Sequence, residues 1–496
     1  IESIGANAKA PADAQVFNGS GLTVYPGFFD ALTSLGVPSA PVRPPGGGQA
    51  GQQAQAQAAQ TASNSNYPDG LRPEESTADN LKAGEAQFET NRNAGFATVL
   101  TVGRDGVFNG QSAVINLAGE NVSTMIIKAP FAEHFSFATL RGGQYPASLL
   151  GTFSALRQMF YDAQRLQEIQ KLYAASPLGM KRPEEDKSLE ALIPVLNRQM
   201  PIVFNANREI EIIRALDLAK EFNLKAIIAG GQEAGNVADR LKAQNVPVLL
   251  SLNFPKRTAA ASAEADPESI EDLRLRAETP KTAARLQQVG VKFAFQSGGL
   301  TGINDFYTNA GKTVENGLAK DAAIRAMTLN AAEILGVENR LGSIEKGKIA
   351  NLTVVRGDLF GKEKMVTHVF VDGKLFEQKE KPKTPPATTP GGAAPALASV
   401  GGNYSITIEI PGQPLSGTLA FTQQSAILSG TFQSQLGTAP IKDGKVTAEG
   451  FSFSATVEFG GSQIDIFVKG TVTGNQISGT IDSPQGSIPF SGTKNP

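Results

Sequence analysis

Two periodicities divide the chain. From Gly95 to Leu335, short β-branched runs alternate with stretches whose apolar residues recur at helical spacing. Residues 96–102 and 113–117 predict strands. Leu156, Met159, Phe160, Ala163, Leu166 and Ile169 share one face of a helix over 149–173, and 189–196 predicts a second. Strands at 201–204, 225–229, 246–252 and 291–295 then alternate with helices at 208–222, 234–244, 282–288 and 319–335, broken by an Ala-, Glu- and Asp-rich insertion at 258–278. This alternation implies a parallel sheet with helical crossovers, and a closed β/α barrel is its natural form. Upstream, the apolar run from Val24 to Gly36 predicts one buried strand, and residues 1–25 read as short strands separated by Pro11, Asn18-Gly19 and Gly21. From residue 403 the period changes to two, as in Ser454-Ala455-Thr456-Val457-Glu458-Phe459, which predicts an antiparallel meander closing into a small barrel or sandwich. Ser-Gly-Thr recurs there at 416, 429, 478 and 491 and is expected at turn-to-strand junctions.

Two segments lack either period. Residues 38–66, rich in Pro, Gly, Gln, Ala and Ser, cannot bury enough apolar surface to order themselves, which predicts a mobile loop beside the barrel mouth. Residues 379–402, rich in Pro, Thr and Gly, predict a linker. The expected organisation is a barrel over 26–340, a composite β-sandwich from 1–25 and 341–378, and a C-terminal β domain over 403–496, together an α/β chain with an appended all-β domain.

Composition narrows the function classes. A length of 496 residues suits two or three domains. A net charge of −2 gives no basic excess for nucleic acid, and no run approaches the roughly 18 apolar residues of a membrane helix. There is no cysteine, which removes disulfides and thiolate chemistry and favours an extracytoplasmic, periplasmic or secreted setting. The sequence opens at Ile1 with no charged-then-apolar leader, so any signal segment is expected to have been removed or to be absent from this chain. Only His134 and His368 supply imidazole, the commonest ligand and base of hydrolytic metal chemistry.

The stretch Pro26-Gly27-Phe28-Phe29-Asp30-Ala31-Leu32-Thr33-Ser34 resembles the first barrel strand of the amidohydrolase superfamily, whose pattern is Pro-Gly-Leu-Ile-Asp-x-His-x-His. The blocks 340–352 and 369–374 resemble the same family's return to its β-sandwich, closest to the imidazolonepropionase-like branch, and the likeness extends over about residues 1–378. The resemblance implies a metal held by histidines and an aspartate that serves as ligand and proton shuttle. In this chain Leu32 and Ser34 stand at the first two histidines, Asn205 and Gly230 at the next two, and Gly298 at the aspartate. Leucine and glycine offer no side-chain donor, and serine and neutral amide are poor zinc ligands. A lysine that some members carbamylate finds a counterpart in Lys128, read here as an ordinary surface or lumen lysine.

The expectation is therefore a degenerate amidohydrolase with no catalytic set, no metal and no cofactor. His134 remains as a candidate base if paired with Glu133. Asp30, Glu209, Glu211, Glu233 and Asp305 are candidate oxygen ligands for a hard cation. The glycine clusters at 46–48, 142–143, 230–231 and 298–299 lack the Lys-Ser/Thr ending of a phosphate loop. Three functions follow in order: a non-catalytic scaffold or partner subunit, forming a homo-oligomer or a hetero-oligomer with an active homologue; a hydrolase of non-peptide carbon–nitrogen bonds with a rebuilt site; or a small-molecule or glycan-binding protein.

Overall fold

The structure is a computed structural model that describes residues 1–496 other than 7, 9, 39–66, 68–69, 84–85, 104–105, 120, 140–144, 258–267, 301, 362, 378–397, 409–414, 435–436, 448–449, 460–461, 484–485 and 496. The expected loop at 38–66, the expected linker, the first half of the 258–278 insertion and the glycine clusters at 46–48 and 142–143 thus lie largely or wholly outside the described residues. The chain divides into one compact unit ending at Lys381 and another beginning at Pro382.

The strands of the first unit are β1 (Leu22–Pro26), β2 (Phe28–Thr33), β3 (Phe96–Thr101), β4 (Phe108–Gln111), β5 (Ala113–Asn116), β6 (Ile126–Lys128), β7 (Glu133–Ser136), β8 (Ile202–Ala206), β9 (Ala226–Gly230), β10 (Val248–Ser251), β11 (Phe293–Gln296), β12 (Leu352–Arg356), β13 (Met365–Val371) and β14 (Lys374–Glu377). Strands β7 to β11 pair in parallel, as do β2 and β3. The ring closes where Ser297 N donates to Asp30 Oδ1 at 2.9 Å, between β11 and β2. The remaining stave is reversed. Phe108–Asn116 runs antiparallel to β3 through β5 and antiparallel to β7 through β4. Only residues 102–107 connect it to β3, far short of the dozen or more residues that a parallel crossover needs. The parallel order expected of every strand therefore fails at 113–117.

The run Val24–Gly36 is two strands rather than one. A Cβ on Gly27 would lie 2.6 Å from Ala97 Cβ, so the chain passes here only as glycine. It leaves β1, the edge of an antiparallel sheet ordered β1-β12-β13-β14, and enters the barrel as β2. Residues 1–21 form no strand among the described residues. The expected closing helix at 319–335 breaks into Lys320–Ala326 and Leu329–Leu335, because Met327 O accepts from Phe29 N at 2.8 Å. The expected helix at 234–244 is a 3-10 turn, Ala234–Val237, followed by Ala238–Ala243. The insertion carries a helix at Ile270–Glu278, and Asp305–Glu315 adds one that the pattern does not predict.

The lumen is filled by Phe29, Leu100, Val203, Ile227, Leu249 and Ala294, a layer of side chains rather than a pore. Between barrel and composite sheet lies a buried polar cluster. Asn351 Nδ2 donates to Thr98 Oγ1 (3.1 Å) and Asn116 Oδ1 (3.0 Å), Asp372 N donates to Asn351 Oδ1 (2.8 Å), and Asn116 Nδ2 donates to Asp372 Oδ1 (2.6 Å). Removing Asn351 leaves the buried Thr98 and Asn116 short of a partner, while Asp372 at the exposed end of the cluster keeps access to water. Asn351→Leu is expected to cost about 2–4 kcal/mol, read from urea unfolding; a loss below about 0.5 kcal/mol would show the cluster to be incidental.

The second unit contains β15 (Gly402–Ile408), β16 (Leu415–Gln424), β17 (Ile427–Ser434), β18 (Gly437–Pro440), β19 (Lys442–Val446), β20 (Phe451–Phe459), β21 (Ser462–Thr473), β22 (Gln476–Ser483) and β23 (Gly486–Lys494). The meander closes: β15 pairs with β23 and with β16, which pairs with β17, and β17 meets both β18 and β19, the two halves of one stave. The result is an eight-stave antiparallel barrel around Tyr404, Phe421, Phe451, Phe453 and Phe490. The Ser-Gly-Thr tripeptides lie inside strands and not at turns. A Cβ on Gly430, Gly479 or Gly492 would run into the carbonyl of the neighbouring strand, respectively Ala420, Lys469 and Ser405. Glycine marks where a tightly coiled barrel brings backbones together.

Candidate functional site

Parallel strands bring their C-terminal ends to one mouth, and there the side chains of a barrel site are assembled. Leu32, Ser34, Asn205, Gly230 and Gly298 all lie at or just beyond those ends. Leu32 packs on the apolar lumen cluster, with its N–H 3.4 Å from Asp30 Oδ1. Ser34 is half-buried, and its carbonyl accepts from Val37 N in a tight turn. Asn205 Nδ2 donates to Ser136 Oγ (2.8 Å) and Asn109 Oδ1 (3.1 Å), and Ser136 Oγ donates to Asn109 Oδ1 (2.7 Å). These neutral groups satisfy one another and carry no charge to offer a cation.

The two glycines are closed to side chains. Gly230 has φ 93° and Gly298 φ 57°, both in the region that favours glycine. A Cβ on Gly230 would collide with Asn207 Oδ1, and one on Gly298 with Ser251 Oγ. Ser251 Oγ is itself held by Asn253 N at 3.1 Å, and Asn253 Nδ2 donates to Gly298 O at 3.1 Å.

Of the oxygen candidates, Asp30 alone is buried, and burial pushes its carboxyl up to about 6 against the lowering effect of Ser297 and Leu32. The others serve the rim. Glu211 Oε2 accepts from Asn207 N and Arg208 N, Glu233 Oε2 from Glu209 N, and Glu209 Oε2 from Asn236 Nδ2, while Asp305 lies 3.9 Å from Lys256 Nζ. Among the described residues no three His, Cys, Asp or Glu side chains come together as a metal set.

His134 and Glu133 are not a catalytic pair. Neighbours in a strand point to opposite faces. His134 is paired in register with Val203 and so faces the lumen; Glu133, paired with Ile202, faces the outer helices. Both are fully buried, and among the described residues neither ring nitrogen nor carboxyl oxygen has a hydrogen-bond partner. Burial drives the imidazole down to about 3, and burial with repulsion from Glu74 and Glu75 drives the Glu133 carboxyl well above its usual range. Lys128 ends β6, where its Nζ donates to Leu335 O at 3.1 Å and caps the helix Leu329–Leu335. His368 lies on β13 beside Phe17, its Nδ1 3.0 Å from Thr367 Oγ1.

The sequence did not point to Asn109, Ser136, Asn207 or Ser251, because no spacing links neutral amides and hydroxyls that meet only across strand ends.

Residues 200–376 match the model of the amidohydrolase family. An amidohydrolase from Thermotoga maritima MSB8 aligns at 25% identity and a TM-score of 0.62, over 76% of this chain and 93% of that one. A Xaa-Pro dipeptidase with methionine in its active site aligns at 18% identity and a TM-score of 0.44, over 76% and 93%. No curated protein matches the chain. The first unit has the β/α-barrel fold of the amidohydrolase superfamily, and residues 200–376 carry that family's sequence pattern. At the five positions where the resemblance sets the family's metal ligands stand two glycines, a leucine, a serine and an already engaged amide, and these side chains do not fit that metal.

Proposed function

We propose that this protein keeps the amidohydrolase barrel as a scaffold and does not perform the family's metal-dependent hydrolysis. The observation that carries this reading is steric: the room a ligand would need at Gly230 and Gly298 is taken by Asn207 and Ser251. Loss of a ligand leaves a hole that evolution can refill; here the space at Gly298 is filled by Ser251 Oγ, which accepts from Asn253 N, and that at Gly230 by the exposed side chain of Asn207. A scaffold of this kind works as a subunit, either with its own copies or beside a homologue that retains its histidines. A chain without cysteine suits an oxidising compartment outside the cytoplasm. No helix among the described residues is long and apolar enough to cross a membrane.

Metal content per chain, measured by plasma mass spectrometry on protein purified without chelators, tests the proposal. The expected result is no stoichiometric zinc, manganese or iron, and no hydrolysis of amide or cyclic amide substrates after incubation with these ions. Near-stoichiometric metal, with turnover abolished by a chelator, would overturn it.

A further inference from the structure

The outer wall of the C-terminal barrel carries an open depression of about 1000 Å³ lined by exposed side chains. It is built where the repeated tripeptides meet. In each strand the central glycine or isoleucine turns inward and the flanking hydroxyl or amide turns outward, since residues i and i+2 share a face. Register then aligns them across four adjacent strands. Ser416, Thr407, Ser491 and Ser478 form one row. Thr418, Ser405, Thr493 and Gln476 form a second, parallel to the first. Adjacent strands are ~4.8 Å apart, so each row is about 14 Å long.

The lining chemistry excludes most occupants. No residue of the recess carries a charge or an aromatic ring. Phosphate backbones are held by Lys or Arg, and protein hot spots are enriched in Trp, Tyr and Arg, none of which lines the recess. What remains is a partner that is neutral, elongated and rich in hydroxyls, because Ser and Thr both donate and accept. The strand spacing is also close to the length of one hexose in an extended β-linked chain, so each strand presents one hydroxyl or amide pair per sugar. We propose that this recess binds a neutral, extended β-linked glycan.

Affinity electrophoresis of the full chain in gels containing hydroxyethyl cellulose tests this, with carboxymethyl cellulose as the charged counterpart. The wild type is expected to be retarded by the neutral polymer. Thr407→Arg and Ser491→Arg, which put a bulky charge into the rows, are expected to weaken retardation roughly tenfold or more. Ser429→Arg, at the tripeptide outside the recess, reports whether an added arginine on this barrel matters in itself and is expected to leave retardation unchanged. Absence of retardation by the neutral polymer, retardation only by the charged one, or equal retardation of wild type and both recess variants would each overturn the proposal.

Discussion

Replacing His134 with leucine is expected to make the barrel unit more resistant to acid. The wild-type imidazole has no partner for either nitrogen, and burial holds it down at about 3 against an ordinary value of 6.5. A proton is therefore taken up by the unfolded chain long before the folded one. The stability tied to this neutral ring is complete above pH 6.5 and drains away as pH falls toward 3, at about 1.4 kcal/mol per pH unit. At pH 4 the accumulated loss is about 3 kcal/mol. Leucine does not titrate, so the variant keeps that amount, and at pH 7 it equals or exceeds the wild type because an unsatisfied polar group has left the lumen. Urea unfolding at the two pH values measures the difference through helical circular dichroism, which reports the first unit alone because every helix of the described residues lies there. A variant equally destabilised at both pH values would show that His134 makes a packing or bonding contribution this reading denies. Glu133 acts in the opposite direction: its raised carboxyl favours the fold below its ordinary range and withdraws that contribution as pH rises.

Placing an aspartate at Gly298, where the resemblance sets the family's own, is expected to destabilise the barrel by about 3 kcal/mol and to yield no metal site. A residue with a Cβ at φ 57° costs about 1 kcal/mol, and displacing Ser251 from beneath the new Cβ adds about 1–3 kcal/mol. Ser251→Gly removes the obstructing side chain, so the double variant is expected to recover part of the loss, with a coupling energy of 0.5 kcal/mol or more in a double-mutant cycle. Additive losses would mean that backbone strain alone keeps glycine at this position. The same experiment separates two histories of the mouth. If the double variant recovers stability and still takes up no metal, the missing ligands at Leu32, Ser34, Asn205 and Gly230 are the limiting deficit.

The helix-and-strand alternation from Gly95 onward was legible because each element buries a stripe against the same core, and period is what burial leaves in a sequence. The C-terminal meander was legible for the same reason at period two. What escaped was set by contacts between distant residues. Gly27 splits an apolar run only because Ala97 and Asn351 press on it, and neither is near in sequence. The in-strand position of Ser-Gly-Thr follows from neighbouring carbonyls, whereas glycine by itself reads as a turn. At the mouth, five positions stood out only through their resemblance to a known pattern. The groups that occupy their space, Asn207 and Ser251, were not, because occupancy is a fact of three dimensions.

The reversed stave Phe108–Asn116 changes what the rim can evolve into. In a barrel of parallel strands every strand feeds a loop to the mouth, and each loop can lengthen without disturbing the wall. Here one rim position belongs to the connection between two antiparallel staves, from Thr101 to Phe108, and its length of six residues ties the registers on both sides together. Insertions that neighbouring loops absorb would there pull the wall out of register, so new specificity is expected to come from the opposite side of the mouth.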